Sequence, residues 1–289
     1  MVPLIRFIET RSKQIKNQAG DDVTVLKDGD AVEIAEATGA DFHDIYEAAL
    51  KGGVCPYRYV RNRQTISADD QRMLFRSRVA VVGAGGLGGG VILLLARIGI
   101  GEMVVVDGDR FDETNLNRQA LSSMAALGRA KVEEAVRVVA SVNPAVRVIP
   151  HEIRLNASNA AGILGGSKVV VDALDNVPDR FVLEAAARSL NIPLVHGALA
   201  GLEGQLMTVF PQDGGLSRLY GEGMREGDPS RSPEAILGVP ALMPAFLGAL
   251  QAAEVIKILL KREGLFRNAM LHLDLETGEM NRFALDSAE

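Results

Sequence analysis

The chain has 289 residues, 31 Lys and Arg against 37 Asp and Glu, and a net charge of −6. That length suits one large α/β core with a small appendage, and the acidic balance leaves no electrostatic footprint for nucleic acid or an anionic membrane. Its one cysteine, Cys55, excludes an internal disulfide framework and a thiolate zinc site within one chain. The opening MVPLIRFIETRSKQIKN has no long apolar core or small-residue cleavage site, so it does not read as a signal peptide. The longest apolar stretches are broken by Arg, Lys or Glu short of a membrane span, and the expectation is a soluble, cytoplasmic protein.

In chain order, Leu4 to Ile8 and Val23 to Leu26 each fit a short strand or helix. DGDAVEIAEATG and ADFHDIYEAALKGG follow with helical spacing and glycine stops, a helical hairpin with an acidic surface that reads as a packing or partner-binding appendage. Pro56 forces a non-helical segment. The basic cluster Arg58, Arg61, Arg63 lies in this linker, and for Arg58 and Arg63 the reading is a solvated, salt-bridged surface. Ser67 with Asp70 predicts a capped helix running towards Phe75.

The stretch that organises the chain is Arg78 to Arg118, RVAVVGAGGLGGGVILLLARIGIGEMVVVDGDRFDETNLNR. Val79 to Val82 is short enough for a buried strand. It breaks into Gly83, Gly85, Gly86 and Gly88; an apolar segment follows, then a second strand, Met103 to Val106, ending at Asp107. Strand, glycine turn, helix, strand and acid is a nucleotide-binding fingerprint. The glycines let backbone approach a phosphate, the helix offers free N–H groups and its positive end, and Asp107 is placed to accept hydrogen bonds from ribose hydroxyls.

Beyond it, Ala125 to Val142 has helical spacing. NPAVRVIP is a third strand, Asn156 to Leu164 a short helix, SKVVVDALDN a fourth strand, Pro178 to Leu190 a helix and IPLVHGA a fifth strand. This alternation predicts a doubly wound, mostly parallel Rossmann-like sheet with ligands at the carboxyl ends of its strands. GLEGQLMTVF reads as a strand, residues 211–239 as a long loop, Ala241 to Leu260 as a buried apolar helix, and AMLHLDLETGEMNRFAL as an antiparallel hairpin around Glu276-Thr277-Gly278. The expected architecture is α/β with antiparallel C-terminal strands, divided into a helical appendage, 1–57, and a nucleotide-binding domain, 58–289.

The glycine turn alone is equally suited to NAD or FAD. The polar groups grouped at the strand ends are not those of a hydride-transfer site. Asp107 and Asp109 follow the second strand, with Thr114-Asn115-Leu116-Asn117-Arg118 just beyond; Lys131 starts the next helix and Asp175-Asn176 follow the fourth strand. Two cations and an acid for Mg²⁺ suit nucleotidyl transfer, in which Arg118 and Lys131 neutralise a triphosphate while Asp175 holds the metal. An NAD(P)-dependent oxidoreductase and a non-catalytic nucleotide-binding scaffold are the alternatives. None of His43, His151, His196 or His272 has a spaced partner, and all four are read as structural.

GAGGLGG, VVDGDRFDETNLNRQ, GRAKVE, DALDN and GLEGQ, in this order and spacing, resemble the ThiF/MoeB/HesA family, bacterial relatives of ubiquitin-activating enzymes. The resemblance covers roughly Arg58 to Leu285. It implies ATP- and Mg²⁺-dependent adenylation of the C-terminal glycine of a small ubiquitin-like sulfur-carrier protein ending in Gly-Gly. On that resemblance, Gly86 lies in the phosphate-facing turn and Asp107 binds the ribose. Thr114 to Arg118 contacts ATP, Lys131 is a second phosphate cation, Asp175 binds Mg²⁺ and Asn176 lines the same pocket. RYVRN matches the family's RY-x-R motif, which implies that Arg61 reaches the active site of the other subunit of a homodimer. The C-x-x-C pairs that bind zinc in many members are missing, so no zinc is expected. Residues 211–239 hold no cysteine, so the chemistry should stop at the acyl-adenylate, with Cys55 read as a small packed residue.

Overall fold

The structure, a computed structural model, describes residues 4–221 and 232–285. The N-terminal segment comprises α1 (Leu4–Arg11), β1 (Lys13–Lys16), β2 (Asp22–Leu26), α2 (Asp28–Thr38), α3 (Phe42–Lys51) and β3 (Cys55–Pro56). The helical hairpin stands as read: α2 stops at Gly39, with φ 74°, and the Asp41 side chain caps α3 by accepting from Asp44 N–H. A small sheet accompanies it, β1 antiparallel to β2 and β2 parallel to β3. Of the two stretches read as strand or helix, Leu4 to Ile8 is helical and Val23 to Leu26 is β2; β1 and β3 escaped the sequence reading because β1 is polar and β3 is only two residues long. This segment has a core of its own, Ile8, Val25, Leu26, Ile34, Ile45 and Tyr46, which is completed by Tyr59, Phe75 and Ala145 from further along the chain. Arg58 is not a solvated linker residue. It ion-pairs with Asp28 and donates from Nη1 to Val142 O at 2.6 Å, so it ties the appendage to the body of the protein.

After the capped helix α4 (Ala68–Phe75), the main sheet and its layers follow as β4 (Arg78–Val82), α5 (Gly86–Ile98), β5 (Glu102–Val106), α6 (Lys131–Val142), β6 (Arg147–His151), α7 (Ala160–Leu164), β7 (Val169–Asp172), α8 (Val177–Ser189), β8 (Leu194–Ala200), β9 (Glu203–Val209), α9 (Ser217–Tyr220), α10 (Pro233–Leu237), α11 (Leu242–Leu259), β10 (Ala269–Asp274) and β11 (Glu279–Ala284). The eight strands run in the order β11-β10-β9-β8-β7-β4-β5-β6. Strands β4 to β8 pair in parallel, and β9 to β11 extend the sheet antiparallel.

The central strands are apolar without a break because both faces are covered. Val79 and Val81 of β4, with Met103 and Val105 of β5, face the layer of α5, α6 and α11. Ala80, Val82, Val104 and Val106 face Leu164, Leu183 and Ala187 of α7 and α8. Helix α11 is long and apolar enough by composition to cross a membrane, although the sequence reading expected no such stretch. Within the fold it packs against α5 and β7–β9, and its buried Glu254 accepts from Thr208 Oγ1 at 2.6 Å and Phe266 N at 2.9 Å.

Three boundaries differ from expectation. The helix expected over Ala125 to Val142 begins only at Lys131, because Gly128 at φ 78° breaks the backbone after one short turn, Met124–Ala126. The helix expected from Asn156 begins at Ala160; the Asn156 side chain instead caps its own turn through Ser158 N at 2.9 Å. The long loop carries α9 and α10 at its two ends, short helices masked in the sequence by surrounding Gly and Pro, while 222–231 lie outside the described residues.

A Cβ added at Gly88 would lie 1.8 Å from Gly83 O and 3.1 Å from Ala173 Cβ, so α5 approaches the sheet through a position only glycine fits. Gly88→Ala is expected to lower unfolding free energy in urea by about 1–3 kcal/mol or more; an unchanged midpoint would contradict this packing.

Candidate active site

The crossover changes direction between β4 and β7, which pair in parallel, and such a switch point opens a crevice at the strands' carboxyl ends. Gly83 ends β4 at φ 97°, and a Cβ there would meet Ala173 O at 2.4 Å. The glycine turn and the turn after β7 are therefore in backbone contact. Asp107, at the end of β5, closes the third side. Its Oδ2 accepts from Ala84 N at 2.7 Å and its Oδ1 from Asp109 N at 2.8 Å. Burial pushes this carboxyl above the usual Asp range, and the nearby Lys131 ammonium opposes the shift.

A cleft of ≈ 690 Å³ opens here. Of the residues expected from sequence, Gly83, Gly85, Gly86, Asp107, Asp109, Arg118, Lys131, Asp175 and Asn176 all line it. Thr114, Asn115, Leu116 and Asn117 do not line the cleft. They form the turn behind Arg118, whose Nη1 donates to Thr114 O at 2.8 Å and Asn117 Oδ1 at 2.9 Å. Arg61 is exposed on the short 3-10 helix Tyr57–Asn62 and is not among the residues lining the cleft of its own chain.

Three helices begin at the cleft wall: α5 at Gly86, α6 at Lys131 and α8 just after Asn176. Their free N–H groups and positive dipole ends add to the two cations. Lys131 is only 6% exposed, which separates it from a surface helix lysine, and its Nζ donates to Asp109 Oδ2 at 3.0 Å. Asn176, not Asp175, caps α8 by accepting from Asp179 N at 2.9 Å. Asp175 remains exposed at the cleft, touched at Oδ1 by Asn176 Nδ2 at 3.2 Å.

Several lining residues were missed in the sequence. Gln119 is 7% exposed beside Gly85, and its Oε1 is buried without a partner among the described residues. The amide approaches the glycine turn with Nε2, 3.7 Å from where a Gly85 Cβ would stand, and the orphaned acceptor beside it fits a ligand bearing hydroxyl or amino donors. Arg154 and Asp179, from opposite walls, pair at 2.9 Å. Buried Arg180 also lines the cleft. The NLNRQ motif pointed at Gln119 by adjacency; nothing local marked Arg154 or Arg180. His196 does have a partner, Asp172 Oδ2 at 2.7 Å from Nδ1, and burial holds the imidazole below its ordinary pKa, hence neutral. No group of three or more His, Cys, Asp or Glu suited to a metal occurs among the described residues. Asp175, exposed beside a phosphate cradle, fits Mg²⁺ brought with phosphates, not a preformed protein cage. Cys55 is buried, and burial pushes its thiol up to about 11, so little thiolate is available at neutral pH.

A family model described as the ThiF family matches residues 59–289. The chain is 41% identical over 206 residues to "SAMP-activating enzyme E1" of Haloferax volcanii, covering 70% of this chain and 75% of that one. It is 38% identical to "Sulfur carrier protein adenylyltransferase" of Thermus thermophilus, covering 68% and 73%, and 34% identical to "Adenylyltransferase and sulfurtransferase MOCS3" of Arabidopsis thaliana, covering 81% and 51%. The chain thus spans about half the length of that plant relative. Escherichia coli MccB, solved with ATP, superposes at TM-score 0.66 with 19% identity, covering 89% of this chain and 83% of that one, a likeness of fold.

Asp107→Asn turns one acceptor oxygen into a donor against the Ala84 or Asp109 N–H. It is expected to cost about 1–3 kcal/mol in urea unfolding, whereas Asp109→Asn, exposed and bonded mainly to Lys131, should cost less than half as much; equal costs would refute the bracing role given to Asp107.

Proposed function

The chain belongs to the ThiF family, and from that premise we propose that it is an adenylyltransferase that uses ATP to activate the C-terminal glycine of a small ubiquitin-like sulfur-carrier protein. The observation that carries this reading is the convergence of Arg118, Lys131 and Asp175 on one glycine-lined cleft. The carrier's C-terminal carboxylate attacks the α-phosphate; the P–O bond to the β-phosphate breaks, pyrophosphate leaves and an acyl-adenylate forms. The N–H groups of the glycine turn and the start of α5 cradle phosphate oxygens. Arg118 and Lys131 offset the charge that builds on the departing pyrophosphate, in a cleft shielded enough for that to matter. Asp107 accepts from the ribose hydroxyls. Asp175 would hold Mg²⁺, which would supply further neutralisation of phosphate charge.

Neither an NAD(P)-dependent oxidoreductase nor a silent scaffold gains support: relatives with the same family domain bear adenylyltransferase names, and the cations stand ready in the cleft. A homodimer completes the proposal. Arg61, exposed and not among the residues lining its own cleft, is suited to reach a partner subunit's phosphates. The appendage, 1–57, and the adenylating domain, 58–289, remain the proposed division, in a soluble protein of the cytoplasm. With the thiol of Cys55 suppressed and residues 211–239 free of cysteine, sulfur arrives from another protein.

Carrier-dependent ATP–pyrophosphate exchange tests the activity. Asp175→Ala is expected to lose on the order of 100-fold or more, and an active variant would remove Asp175 from its role. Arg61→Ala should lose exchange and recover it in mixed dimers with Asp175→Ala; no recovery would refute donation in trans. Because the ribose hydroxyls bind the ionised Asp107, ATP affinity should fall on acidification through a midpoint above that of an ordinary Asp. A fall only below about pH 4 would argue that Asp107 does not contact the nucleotide.

A further inference from the structure

Beneath the turn that carries Asp175, the buried polar side chains close into a ring that the chemistry above does not use. Asp172 ends β7 and His196 lies on β8, both 0% exposed. Asp172 Oδ2 accepts from His196 Nδ1 at 2.7 Å, and His196 Nε2 accepts from the Tyr220 hydroxyl at 3.1 Å. That hydroxyl oxygen accepts from Arg180 Nη1 at 2.8 Å, and Arg180 Nη2 donates to Leu174 O at 2.7 Å. Asp172 Oδ1 in turn accepts from Leu174 N at 3.0 Å. One assignment of protons satisfies every link, with a neutral imidazole protonated at Nδ1.

The ring therefore begins and ends on the same residue. Leu174 is held at its N–H by one end of the chain of hydrogen bonds and at its carbonyl by the other, and the next residue is Asp175. Both charged members, Asp172 and Arg180 (3% exposed), sit where an uncompensated charge is costly. Moving any one link leaves another buried group unpaired, so the ring has few alternatives to its present form. Tyr220, the last residue of α9, brings the first described end of the 211–239 crossover into the ring. Its ring also meets Phe181 and His196 edge-on, at centroid distances of 6.4 and 5.6 Å.

We propose that Arg180 and Tyr220 are positioning residues: the closed ring sets the backbone of Leu174 so that the Asp175 carboxylate is presented to the phosphates in one orientation, and α9, at the start of the crossover, is part of that setting. The inference rests on the adenylating role given to Asp175, and it predicts an effect on turnover out of proportion to any effect on ATP capture, since the phosphate cradle and Asp107 lie on other strands.

The test uses Tyr220→Phe, which deletes one hydroxyl and keeps the ring packing, alongside Arg180→Lys, which keeps the charge but lacks the fork needed to reach both Tyr220 and Leu174 O. Amide hydrogen exchange of the full-length protein, without substrates, should quicken about 10-fold or more at Leu174, whose N–H the ring holds, in both variants while β4 and β5 keep their protection. In carrier-dependent pyrophosphate exchange, kcat should fall about 10-fold or more, as when outer partners of a metal-holding group are removed, with KM for ATP near the wild-type value. Unchanged amide exchange at Leu174 would overturn the proposal. So would a lowered Tm with kcat intact, which would leave the ring a purely stabilising element. The amide-exchange arm needs no activity, so a wild-type protein unable to exchange pyrophosphate would sink the adenylation reading separately.

Discussion

The contact between Gly83 and Ala173 is the constraint on which the rest of the molecule depends. With a Cβ 2.4 Å from the Ala173 carbonyl excluded, the turn after β4 and the turn after β7 can lie against each other. That contact is what makes residues far apart in sequence neighbours. Lys131 follows β5, Asp175 follows β7, and Arg118 comes from the connection between β5 and α6, yet all wall one cleft. Gly88 extends the same logic to α5, setting its N-terminus against the turn it serves. Asp107 then locks the arrangement by taking the Ala84 and Asp109 N–H groups on separate oxygens.

Electrostatically the cleft mixes both signs of charge. Asp107, Asp109, Asp175, Asp179, Glu152 and Glu234 share the wall with Arg118, Arg154, Lys131 and Arg180, so the cations alone do not make it a simple phosphate sink. Helix N-termini supply positive potential where the side chains do not. The acids keep cations such as Lys131 in fixed positions, paired with a partner that a phosphate can replace. This division of labour explains why a protein of net charge −6 can still be built to handle a triphosphate.

Much of this was legible in the amino-acid sequence because it rests on local rules. The strand–glycine–helix–acid run, the alternation of apolar strands and helices, and the Ser67 capping box each follow from periodicity and turn chemistry, and the capping box is present with both hydrogen bonds. What escaped depended on contacts distant in sequence. Arg58 reads as a solvated linker residue until Asp28 and Val142 are brought to it. His196 has no partner in its own segment; parallel pairing of β7 and β8 places Asp172 beside it. The late start of α6 turned on Gly128 adopting φ 78°, a backbone choice that helical spacing on either side conceals. Thr114 and Asn117 hold Arg118 from behind, a contact that spacing alone does not reveal.

The cleft is built to select a triphosphate over a nicotinamide dinucleotide. Calorimetric titration of the full-length chain with ATP and with NAD, each with and without Mg²⁺, tests it most directly. Saturable ATP binding that strengthens with Mg²⁺, together with no heat from NAD, is the expected result. Uptake of NAD by a protein that ignores Mg-ATP would contradict it.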